Sequence, residues 1–149
     1  MKIFNKIPVV LIMLLCMSCM VNKKICPCKA PSILTIGDNQ ISIKANIVKS
    51  DTLGRTTMKI TIWLSTPDLS IFPLGVEPEY YYLRSSNLER EPFTGNFSKT
   101  NFDFENGAII LEATNNLKWN KDELIDVAVH LNPKKGKKLF IKTEAVTIQ

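Results

Sequence analysis

Alternation with a period of two runs through most of this chain from residue 32 onward. Ile33 to Ile36 is a brief apolar run, Gly37-Asp38-Asn39 supplies a turn, and Ile41, Ile43, Ala45 and Ile47 then occupy one face of a half-buried strand. Ser50 to Gly54 is the next turn. Beyond it Met58, Ile60, Ile62 and Leu64 alternate with Thr57, Lys59, Thr61, Trp63 and Ser65, so Trp63 is predicted on the polar side of its strand. Pro67, Pro73 and Pro78 interrupt the next passage, and the pattern leaves room there for at most a short edge strand before Tyr80 to Leu83. Ser85 to Pro92 reads as a polar connection. Phe102 and Phe104 alternate with polar neighbours, and Asn106-Gly107 predicts a type I′ hairpin into Ala108 to Leu111. Asn115-Asn116 and Lys118 to Glu123 mark a corner, after which Ile125, Val127, Val129 and Leu131 restart the alternation. Asn132 to Gly136 closes a last hairpin onto Leu139 to Ile148. In that final run the apolar residues move from odd to even positions, which predicts a bulge or an edge strand near Thr143.

Short runs with turn signals between them, and no period of 3.6 among them, predict an all-β domain over residues 32–149. The expected form is an antiparallel sandwich or barrel of about seven to eight strands, and a parallel α/β fold is excluded.

The first residues have a different texture. Lys2 and Lys6 precede an apolar run from Ile7 to Leu15, too short for a membrane-spanning helix and suited to an export signal. Cys16-Met17-Ser18-Cys19 follows, and a small residue directly before a cysteine at this place resembles the lipobox of bacterial envelope lipoproteins. That resemblance implies a signal peptide at residues 1–18, an acyl chain such as palmitate on Cys19, and a tether at residues 19–31. In lipoproteins of the Bacteroidetes type an acidic run after the lipidated cysteine directs the protein to the cell surface; here the positions read Asn22-Lys23-Lys24. The resemblance therefore implies an outer-membrane anchor facing the periplasm, with surface exposure as the alternative. The long penultimate strand, tight turn and closing strand resemble the immunoglobulin-like sandwich domains of such lipoproteins, without the Cys…Trp…Cys mark of antibody domains.

Charge and cysteines narrow the partners. Removing 18 of the 149 residues takes away Lys2 and Lys6 and leaves 17 basic against 14 acidic residues, a mild excess that argues against nucleic acid. Cys26-Pro27-Cys28 in the tether is the one unusual group: two thiols one residue apart suit a soft ion such as Cu(I), a strained redox disulfide, or a plain tether disulfide. The domain itself contains no cysteine, so apolar packing stabilises it.

A search for catalytic chemistry finds little. His130 is the single histidine; it alternates with the inward Val129 and Leu131 and reads as an exposed strand residue. Asp122-Glu123 and Glu89-Glu91 sit in polar connections and read as solvated charge. Aromatic residues are the better lead. Trp63 lies on the polar face of its strand, and Tyr80-Tyr81-Tyr82 must put at least one ring on each face of a strand. Together they suggest a binding surface, with Lys134-Lys135-Gly136-Lys137-Lys138 as a basic turn in reserve. Asp51-Thr52-Leu53 resembles the three-residue acceptor for O-linked glycan in exported Bacteroidetes proteins, which makes Thr52 a candidate for modification. The sequence thus leads to a non-enzymatic, lipid-anchored module without a cofactor that binds or positions another envelope protein. The alternatives are a carbohydrate-binding module and a Cu(I) or thiol-redox protein acting through Cys26 and Cys28.

Overall fold

The computed structural model describes residues 27–66, 75–87, 89–103, 105–134 and 136–149. Among these residues one 3-10 turn, Pro27–Lys29, leads into ten strands: β1 (Ile33–Ile36), β2 (Asn39–Thr52), β3 (Arg55–Ser65), β4 (Val76–Ser85), β5 (Phe93–Asn96), β6 (Lys99–Asp103), β7 (Ala108–Asn115), β8 (Leu124–Pro133), β9 (Leu139–Lys142) and β10 (Val146–Thr147). They form two antiparallel sheets, the all-β sandwich that the alternation predicts. The first sheet has the order β1-β2-β3-β7-β6, and the second has the order β10-β8-β4-β5 with β9 also on β8.

The inward faces follow the period of two. Ile41, Ile43 and Ile47 from β2, Met58, Ile60, Ile62 and Leu64 from β3, and Ile109, Leu111 and Ala113 from β7 meet Leu83 of β4 and Ile125, Val127, Val129 and Leu131 of β8. Tyr81, Trp119, Val76, Ile141 and Ile148 belong to the same cluster. Each fully buried aliphatic side chain contributes about 1.5–3 kcal/mol, which is how a domain without disulfides in its core holds together.

Two β-hairpin turns show which residues set the registers. Thr52 pairs with Arg55 across Leu53-Gly54, both with positive φ (50° and 75°), as a type I′ turn requires. Asn106-Gly107, predicted to make the same turn, does not: Asp103 pairs with Ala108 across four residues, and of the described residues in that loop only Gly107 is left-handed. The Asp103 carboxylate explains the difference, because it accepts hydrogen bonds from both the backbone N–H and Nδ2 of Asn106 and holds that residue out of the αL region.

Three further departures have local causes. β4 is a ten-residue strand in the middle of its sheet rather than a short edge piece, because the register slips between Pro78 and Tyr80 and the bulge absorbs the proline. The passage after Pro92 contributes β5 as well as the start of β6. These two short strands belong to different sheets and are joined only through Phe97-Ser98, so the chain crosses the sandwich there. The last run breaks between Lys142 and Val146, as the parity shift predicts, and the Thr143 hydroxyl accepts the Val127 N–H that the ladder would otherwise leave unmatched. On this side Lys142 N–H donates to the Pro31 carbonyl, and Gln149 exchanges backbone bonds with Ile47 and Lys49, which ties the second sheet to β2 of the first.

Candidate functional site

The outer face of the first sheet is built by the polar positions of β2, β3, β7 and β6. Cross-strand pairing puts Lys44, Trp63, Ile110 and Asn101 in one row, with Ser42, Ser65, Ala108 and Asp103 in the next. Trp63 is half-buried, and an open groove of about 680 Å³ runs over it, lined also by Lys44, Ala45, Ser65, Thr66, Asn106 and Ala108. The groove's chemistry is uneven. Lys44 is exposed and makes no ion pair among the described residues, whereas Lys49, Lys59, Arg90 and Lys142 each face a carboxylate. Ser42 Oγ lies 3.2 Å from the Ser65 carbonyl, to which it can donate, and 3.0 Å from Ser65 Oγ, a contact in which either hydroxyl can be the donor. Asn106 is fixed by its bonds to Asp103, whose carboxyl those bonds hold below the usual carboxylate range.

The tyrosines do not join this surface. Trp63 stands on β3, whose neighbours are β2 and β7, while Tyr80 to Tyr82 stand on β4 of the other sheet, so the expected cluster of Trp63 with the tyrosines does not form. Tyr81 points into the core, where its hydroxyl accepts a bond from Asn115 Nδ2 at 3.3 Å. Burial raises its pKa, against the opposing effect of that bond. Tyr80 and Tyr82 lie on the outer face of the second sheet, half-buried, which satisfies the requirement that three consecutive tyrosines show a ring on each side.

His130 is the second correction. It faces outward with Tyr80, yet it is only 1% exposed, because Tyr80 stacks on it at 4.5 Å and 11° and Phe140 of β9 leans over it at 4.9 Å. The bulge in β4 brings Glu79 to the same place, its Oε2 2.9 Å from His130 Nδ1 and its Oε1 accepting a bond from Asn132. Despite that short approach Glu79 lies off the line along which a ring N–H would donate, and neither nitrogen of His130 has an aligned hydrogen bond among the described residues. Burial lowers the imidazole pKa, Glu79 opposes this and Lys138 adds to it, so the surroundings on balance favour the neutral ring. No alternation argument could find this site, since the covering rings come from β4 and β9.

Glu123, expected as solvated charge, is a fastening point. Its side chain is 8% exposed and accepts bonds from the Ser85 hydroxyl, from the Asn120 N–H at 3.0 Å and from Arg90 Nε at 3.2 Å. Burial works against its charge, but these donors outweigh it and hold the carboxyl below the usual range. Asp122, Glu89 and Glu91 are exposed as expected.

Thr52 is exposed beside the β2–β3 turn, next to Leu53, which is 98% exposed. Cys19 and Cys26 lie outside the described residues, as does Lys135 of the basic turn. Among the described residues no three His, Cys, Asp or Glu side chains come together as a metal site. No family model matches this chain, and neither does any curated protein or solved structure.

Proposed function

We propose that this chain is a non-enzymatic, lipid-anchored envelope protein that holds a saccharide on the outer face of its first sheet. The observation that carries the reading is the Trp63 groove: one indole on its floor, hydroxyl and amide groups around it, and one exposed ammonium group. A flat ring with no aromatic neighbour among the described residues offers a stacking surface for the C–H face of a sugar, and the polar rim offers partners for its hydroxyls. The lipid on Cys19 would keep this surface at the membrane, with residues 19–31 as spacer.

Docking of another envelope protein is the second reading, and a separate feature favours it. β6 is the last strand of the first sheet among the described residues, and an edge strand is a template on which a partner strand can pair. A glycan array probed with the full lipidated protein and with Trp63→Ala separates the two. Binding that disappears in Trp63→Ala, with the circular dichroism unchanged, supports the saccharide. A silent array, together with a partner that co-purifies with wild type and is lost on placing a proline within β6, supports the protein.

A further inference from the structure

We propose that the Trp63 groove takes a pyranose that carries a carboxylate, seated with its acid group toward Lys44. This rests on the saccharide reading and names the ligand class. Three features of the groove lead to it.

The first is the supply of protons. The Ser42 and Ser65 hydroxyls lie 3.0 Å apart, and Ser42 Oγ also reaches the Ser65 carbonyl at 3.2 Å, so Ser65 Oγ keeps a lone pair to turn toward a ligand. Asn106 has one amide proton committed to Asp103 Oδ2 at 2.8 Å, which fixes the amide and leaves its carbonyl oxygen as an acceptor and its second amide proton as a donor. These groups match the hydroxyls of a sugar, which both donate and accept.

The second is charge. Lys44 is a cation without a carboxylate partner among the described residues. Lys59 and Glu112, 3.5 Å apart on this face, neutralise each other, and Lys99 stands across from Glu112 on β6, outside the groove lining. An anionic group beside Lys44 would gain a charge-assisted bond at a place where nothing competes for it.

The third gives direction. Asp103 stands on β6 next to Asn106, while Lys44 stands on β2, on the other side of β3 and β7. A ligand carboxylate is repelled from the Asn106 end and attracted to the Lys44 end. The sugar ring between them then lies over Trp63, its hydroxyls toward Ser65 and Asn106.

The test uses calorimetry on the full lipidated protein in detergent, with an oligogalacturonate and its methyl ester, which has the same ring and no charge. The acid is expected to bind at least about tenfold more tightly than the ester, the factor that one charge-assisted bond supplies. Lys44→Gln should abolish the preference and Lys44→Arg keep it, while Trp63→Ala should weaken acid and ester alike. Equal binding of acid and ester, with both still lost in Trp63→Ala, overturns the acidic ligand and leaves a neutral saccharide. Binding of neither, or binding indifferent to Trp63→Ala, overturns the groove as a saccharide site.

Discussion

On the outer face of the second sheet, Tyr80, His130 and Phe140 stand in one cross-strand row and cover one another. On the outer face of the first sheet, Trp63 stands between Lys44 and Ile110 and meets no ring among the described residues. The sequence presents these residues alike, as aromatics on the polar side of alternating strands. Whether such a residue becomes roof or floor depends on what the neighbouring strands bring. β9 and the bulge of β4 supply Phe140 and Glu79 to close over His130, while β2 and β7 supply a lysine and an isoleucine that leave the indole half open. The second face is therefore a small satellite of packed structure, and the first is a surface available to a ligand.

If that contrast is right, damage to the second face should appear as lost stability. His130→Ala removes the ring between Tyr80 and Phe140 and should cost about 2–4 kcal/mol, the range for emptying a buried ring-sized space. Urea unfolding measures it, and a loss below that of Trp63→Ala would reverse the roles given to the two faces. Next in size is Gly95→Ala on β5. A Cβ there would press on the Tyr81 ring and lie 2.8 Å from Phe93 Cε1, and with Tyr81 wedged between Phe93 and Phe97 the neighbours cannot yield freely. The expected cost is about 1–3 kcal/mol, read from the same unfolding curves.

Acid should distinguish the faces more gently. His130 has a folded pKa below its ordinary 6.5, so between those two values the unfolded chain binds a proton that the native protein does not. Its contribution is present above pH 6.5 and is lost as pH falls toward the depressed value, at no more than about 1.4 kcal/mol per pH unit. The groups that bear on it are Glu79 from β4, which eases protonation, and Lys138 from the turn before β9, which opposes it. Glu123 acts in a lower window: its carboxyl is depressed below 4.5, so its contribution holds above that pH and is lost as pH falls through the folded value. His130→Phe should flatten the stability profile between pH 7.5 and 5.5 while leaving the drop below 4.5. An unchanged upper slope would show that His130 titrates normally.

The parts legible in the sequence are those that depend on the chain's own period. β2, β3, β7 and β8 could be read from alternation because their inner faces are continuous, and the break near Thr143 from a change of parity within one strand. What could not be read depends on pairing. Nothing within Tyr80-Tyr81-Tyr82 says that its strand joins β8 and not β3, and that one fact separates the tyrosines from Trp63. Nothing around His130 says that β9 will lay Phe140 over it. Pro78 argued against a long β4 until the bulge is known, and the same bulge turns Glu79 toward the histidine. The candidate site was half legible: Trp63 came from its own strand, while Lys44, Ser65 and Asn106 join it only through register. Cys19, the proposed anchor, is a matter of local motif alone and is tested separately by whether Cys19→Ala frees the protein from membrane.

The smallest stability effect should come from the residue with the largest effect on binding. Trp63→Ala removes a side chain whose inner neighbours Ile62 and Leu64 keep their packing, since alternate positions of a strand face opposite ways. It should cost below about 1 kcal/mol in unfolding experiments, the range for changes away from core and networks. A residue whose ring was a structural cover, as Tyr80 is for His130, could not be removed so cheaply. In ligand binding the same substitution should cost more than about 1 kcal/mol, as truncation of an aromatic anchor does. The two measurements make the contrast quantitative. A large loss of stability with Trp63→Ala would make the first face a second roof, because its indole would then be holding β2 and β7 together and leaving no floor for a ligand.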